Sequence, residues 1–363
     1  MSSATVARPQ AWIFSRALDL LAFSGTALAS LLLLTLGSVG SEGSAGKDAP
    51  EWSWILGVLF VDVAHVWSTI FVTYWDRFER RRRPLLYAAT PIACYALAFV
   101  LHQQGALIFW RVVAYLAAFH FVRQQYGWLM LYRARAGEHE RLGRFLDGAL
   151  IYATMLYPLL HWHAHLPRRF WWMKEHDFIT GLPKSVVPVA AAIYAVLAVI
   201  YALRAVAAAR RGPITWGKHL LVVTTALCWY VGIVGTNSDY AFTVTNVFIH
   251  GVPYLVLVFV YGRRAATLPE SSRGPGAAIL RHGAIAFLAT LWVIAYVEEL
   301  LWDRTLWHER TYLFGGSESG GLLAEHAWWI APLLVTPQLV HYTLDAFLWK
   351  RSNPRLAPLL ERS

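Results

Sequence analysis

The chain has 363 residues, 57% of them hydrophobic and only 15% charged, with a formal net charge of +10. A soluble globular chain carries roughly a quarter charged residues, so this composition excludes that class. The apolar residues gather in runs of about twenty, the length that crosses roughly 30 Å of hydrocarbon as helix, and the short alternating segments of a β-barrel are absent.

Taken in chain order, the runs predict ten transmembrane helices near 17–39, 52–75, 85–104, 106–132, 146–166, 184–206, 217–236, 241–262, 283–302 and 327–349. The polar segment 1–16 has no small-residue cleavage site after the first run, which reads as a retained helix rather than a signal peptide. Between the runs stand the usual breakers: Gly43, Pro50, Pro84, Gly212, Pro213, Pro269, Pro275, Gly315 and Gly321. No loop is long enough to fold alone, so the expectation is one all-α polytopic membrane domain over 1–363.

Lysine and arginine set the orientation, because they stay on the cytoplasmic side. With both termini inside, 23 of the 32 basic residues are cytoplasmic and the alternation holds at every loop. The positive charge is thus a topology signal rather than a nucleic-acid footprint. The expected location is a bacterial-type cytoplasmic (inner) membrane. Cys94 and Cys228 both lie in apolar runs and read as small core residues.

Ionisable residues in mid-span are costly and by default mark a functional site. Span 2 carries Asp62 and His65, and span 4 carries His120, Arg123, Gln124 and Gln125. Span 8 carries Asn246 and His250, and span 10 carries Gln338, His341 and Asp345. The pairs 62/65, 120/124, 246/250 and 341/345 are three or four residues apart, so each shares a helix face. All four spans run from outside to inside. Their histidines precede the next cytoplasmic basic residue by nine to thirteen positions, about 13–20 Å at the helical rise. Four imidazoles and two carboxylates at one depth have the composition of a metal site.

The expected ligands are therefore His65, His120, His250 and His341, with Asp62 and Asp345 as ligands or orienters. Gln124 and Asn246 are expected to orient a ligand or a substrate oxygen, and Tyr126 and Tyr254 to hydrogen-bond nearby. Arg123 requires an anion: Asp62 or Asp345 is the favoured partner, an anionic substrate group the alternative. The run His161, His163, His165 falls at an outer span end and reads as an interfacial polar cap, with a peripheral metal site as the alternative. Glu298 and Glu299 are expected near the outer end of span 9.

No GxGxxG, P-loop, HExxH or GxSxG occurs, nor the HxxxH and HxxHH boxes of membrane fatty-acid desaturases. Bacterial membrane carotene-cleaving dioxygenases place isolated histidines in several spans around one iron, and the chain resembles them in that respect alone; no motif or residue role is carried across. The leading expectation is a membrane metalloenzyme, an iron-dependent oxygenase, desaturase or hydroxylase with mono- or dinuclear non-haem iron. It would act on a membrane lipid or other lipid-soluble substrate, with a redox partner. Zinc or copper are alternative ions. A bis-histidine haem b electron carrier and a proton-coupled transporter are the alternative functions.

Overall fold

The computed structural model describes residues 11–38, 50–269, 274–316, 324–350 and 353. Arg8, Gly43, Gly321 and the tail beyond Lys350, Asn353 apart, lie outside these residues. The fold is 80% helix, with no strand among the described residues. Its long helices are α1 (Arg16–Leu36), α2 (Glu51–Val72), α3 (Pro84–Gln103), α4 (Ala106–Arg135), α5 (Arg141–Ala164), α6 (Val186–Ala209), α7 (Trp216–Gly235), α8 (Asp239–Ala265), α9 (Ala284–Trp307) and α10 (Ala327–Leu348). Each predicted run is helical, with ends within five residues of the expected ones. Eight helices are long and apolar enough to cross a membrane; α5 and α10 match them in length but are less apolar.

Local chemistry sets the breaks. Pro84 occupies the first turn of α3, where its missing N–H costs nothing. Gly105 turns the chain from α3 into α4 at φ 122°, a conformation that only glycine adopts without strain. Asp19 is buried and accepts the backbone N–H groups of Ile13 (2.7 Å) and Phe14 (2.9 Å) and the Tyr132 hydroxyl (2.9 Å), which ties the entrance of α1 to α4.

Burial divides the helices into a centre and a rim. α8 is the most buried of the eight apolar helices, and α6 buries no residue at all. α2 packs on α8 and α10, and α4 packs on the same two helices, so these four surround a common axis. α3 lies along α10, α9 along α2, and α6 against α5.

Two of the central helices depart from α geometry where they approach each other. α2 is π-helical over Trp54–Val63, α-helical over Ala64–Ser68 and 3₁₀ over Thr69–Val72; α8 is π-helical over Thr243–Val247. Such turns change the angular phase of the side chains that follow, and they recur at functional sites. Gly251 lets the two helices touch: a Cβ there would stand 2.5 Å from Val61 Cγ1 and 3.3 Å from the Val61 carbonyl oxygen. Valine is stiff at χ1, so a side chain at position 251 would push α2 and α8 apart.

Candidate metal centre

The four central helices each deliver one histidine to one cluster. The rings of His65, His250, His120 and His341 follow one another around a square, with centroid separations of 4.6, 5.1, 4.7 and 5.0 Å along its sides. The order is that of the helices, α2, α8, α4 and α10. His65, His250 and His341 are each 1% exposed and His120 7%.

The nitrogens turn inward in pairs. His250 Nε2 is 3.1 Å from His65 Nε2, and His341 Nε2 is 3.1 Å from His120 Nε2. Two imidazole nitrogens bound side by side to one ion at about 2.0–2.1 Å stand about 2.8–3.4 Å apart, from octahedral to tetrahedral angles, so each pair has the span of one polyhedron edge. Asp345 Oδ2 completes the set at 3.9 Å from His120 Nε2 and 3.8 Å from His341 Nε2. His65, His120 and His250 form one group able to hold an ion, and His120, His341 and Asp345 form another, sharing His120.

The far sides of these candidate ligands are held by named partners. With Nε2 facing the centre, His341 Nδ1 carries the proton and donates to Thr69 Oγ1 at 2.7 Å. Thr69 in turn donates to the Tyr254 hydroxyl at 3.0 Å, and Tyr254 donates to Asp345 Oδ1 at 2.5 Å. Trp349 Nε1 donates to the same Oδ1 at 3.2 Å. The donors therefore run one way from one ligand to another, His341 to Thr69 to Tyr254 to Asp345. Outer partners of this kind fix the tautomer and orientation of a metal ligand. Thr69→Val is expected to weaken metal binding about 10–100-fold, with Thr69→Ser restoring most of it, as read by competition with a chelator; equal affinity in the valine variant would remove the role.

Aromatic faces hold two of the rings. Phe121 stacks on His250 at 3.6 Å with 7° between planes, and Tyr342 stacks on His120 at 4.4 Å. Gln124 Nε2 donates to the His250 carbonyl oxygen at 2.7 Å and Gln125 Nε2 to that of Ile249 at 3.2 Å, clamping α8 to α4 at the ligand.

Other predicted residues stand differently. Asp62 faces His65 Nδ1 at 3.5 Å, on the far side of that ring from the converging nitrogens, so it is an orienter by position. Asn246 donates to the Phe242 carbonyl and to Thr245 Oγ1, one turn before His250, and its Oδ1 is buried without a partner. Arg123 departs from the expected ion pair with Asp62 or Asp345: it is exposed on α4, donates to the Tyr152 hydroxyl at 2.6 Å and lies over the Tyr126 ring. The reason is angular, since Asp345 is already taken up by Tyr254 and Trp349 inside the bundle while Arg123 points out of it. Tyr126 stands with Arg123 and Tyr152, away from the histidines.

The outer histidines do not group as ligands. His163 bonds Tyr115 OH at 2.8 Å, and His161 stacks on His165 at 4.1 Å. Glu298 accepts the indole N–H groups of Trp67 and Trp302.

Sequence reasoning missed Thr69, Phe121, Trp349 and Tyr342. Thr69 and Trp349 left a signal, each four residues after a predicted ligand, His65 and Asp345, and so on its face. No protein-family model, no curated protein and no solved structure matches the chain.

Proposed function

We propose that the chain is an integral membrane metalloenzyme, an iron-dependent oxygenase, desaturase or hydroxylase acting on a lipid-soluble substrate. Ten spans with both termini on the cytoplasmic side of a bacterial-type inner membrane form its frame. That arrangement rests on the alternating basic loops together with the ten long helices.

The gathering of four buried imidazoles and one carboxylate into two ligand groups that share His120 carries this reading. Imidazole suits iron, zinc and copper alike, and an added carboxylate favours non-haem iron. Iron bound here would supply one-electron and dioxygen chemistry. The chain's own residues hold the ligands, exclude water with Phe121 and Tyr342, and keep the Asp345 carboxylate in place through Tyr254 and Trp349. Burial among helices admits apolar substrate and dioxygen from the lipid, with electrons from a redox partner. The rings enclose a point and leave no slab for a macrocycle between Nε2 atoms 3.1 Å apart, which favours one ion over haem b.

Metal analysis and a visible spectrum of detergent-purified protein test the proposal. About one iron per chain is expected, without a Soret band. A strong Soret band would overturn the non-haem reading, and stoichiometric zinc would overturn the oxidative one.

A further inference from the structure

Arg123 is charged, exposed and, among the described residues, paired with no carboxylate. It stands 17 residues after the start of α4 and 12 before its end, about 25 and 18 Å along the axis. A membrane-spanning α4 is about 45 Å long against about 30 Å of hydrocarbon, so its ends overhang the core and Arg123 lies inside it, about 10 Å from the nearer boundary when the helix is centred. Its neighbours are neutral: the Tyr152 hydroxyl at 2.6 Å and the Tyr126 ring at 5.0 Å. Phe119, four residues earlier on the same face of α4, and Leu156, four after Tyr152 on α5, are exposed and apolar. A guanidinium with spare donors, flanked by an apolar surface, is built to take an anion that arrives within the hydrocarbon.

The geometry points to a head-group subsite: we infer that Arg123 and Tyr152 bind the carboxylate of a long-chain apolar acid, the substrate of the metal centre. His120 lies three residues earlier on the same helix, about 4.5 Å along the axis, so subsite and centre share a depth. The inference rests on the membrane metalloenzyme reading above and narrows its substrate from any lipid to a single-chain carboxylate such as a fatty acid. A phospholipid phosphate stays in the interface, above or below this depth. An uncharged hydrocarbon leaves the guanidinium with nothing to hold.

Stearate and methyl stearate, competing for the protein in phosphatidylcholine nanodiscs against a nitroxide-labelled stearate that quenches tryptophan fluorescence, separate the cases. The acid is expected to compete about tenfold better than the ester in the wild type, the size of one charge-assisted hydrogen bond. Arg123→Gln is expected to bring the two together, and Arg123→Lys to retain part of the preference. Equal competition by acid and ester in the wild type overturns the inference, which needs no variant to fold. So does a preference that survives in Arg123→Gln, or an Arg123→Gln change confined to oligomeric state, which would assign the charge to an acid of a second copy. Metal content measured on the same nanodiscs keeps the two readings apart. Full metal without a preference overturns the subsite alone; absent metal overturns the enzyme reading whatever the acid does.

Discussion

Alanine at His65 or at His250 is expected to empty the metal centre while leaving the bundle folded. The two imidazoles form one of the two inward Nε2 pairs, and they come from α2 and α8, so each removal takes a whole side from the square. Loss of an outer partner weakens a metal site by about 10–100-fold, and loss of a direct ligand is expected to exceed that. The fold has other ties across the same contact: the Gly251–Val61 approach between α2 and α8, and the Gln124 and Gln125 amides between α4 and α8. Metal content after passage over a chelating resin, with helicity followed by circular dichroism, reads the two effects separately. His163→Ala is the control, since that ring is engaged by Tyr115 and Phe178 outside the square, and it is expected to keep full metal. If His65→Ala and His250→Ala both keep a stoichiometric ion, these two histidines are not ligands, and the ion rests on the His120, His341 and Asp345 group or outside the square.

Much of this architecture is legible in the sequence, and the physical reasons mark where legibility ends. Apolar runs of bilayer length are a one-dimensional signal, so helix positions emerge to within a few residues. Depth is also one-dimensional, which is why His65, His120, His250 and His341 could be ranked at one level before their faces were known. Convergence depends on rotation about each helix axis. The π-helical turns of α2 and α8 alter that rotation, and no pattern at Trp54–Val63 or Thr243–Val247 announces them. The same gap misdirected Arg123: its depth matched the carboxylates, while its angle carried it to the outside of α4. Trp349, four residues after Asp345 at the end of α10, donates to Asp345 and Tyr254, a contact that depends on the same rotation.

Charge in the short loops was read for orientation alone, and there the structure adds a load that the sequence hides. Asp147 on α5 is 1% exposed and lies among three cations from three helices: Arg133 of α4 on Oδ2, Arg204 of α6 at 2.8 Å from Oδ1, and Lys218 of α7 at 3.7 Å from Oδ2. Glu138, in the turn before α5, shares Arg133 at 2.9 Å and Lys218 at 2.7 Å. α6 buries no residue, so its apolar packing gives it little reason to sit in one register, and the Arg204–Asp147 pair supplies one.

Asp147→Ala would leave Arg133, 2% exposed, and Lys218 with Glu138 alone. Breaking a buried ion pair from one side costs about 3–5 kcal/mol, because the remaining charge stays desolvated without its counter-ion. A loss of that size is expected in unfolding by heat or denaturing detergent, with Asp147→Asn in between because its amide oxygen still accepts hydrogen bonds. Removing a cation as well, in Asp147→Ala with Lys218→Met, is expected to recover part of the loss, since a buried charge no longer goes unpaired. Additive losses in the double variant would mean that the pair is not coupled, and an Asp147→Ala protein as stable as the wild type would mean that water reaches the network. The arginine-rich α4–α5 and α6–α7 turns would then serve orientation alone, as their charge count first suggests. With the coupling present, the residues whose charge sets the expected orientation also lock the rim helices onto the centre that holds the histidines.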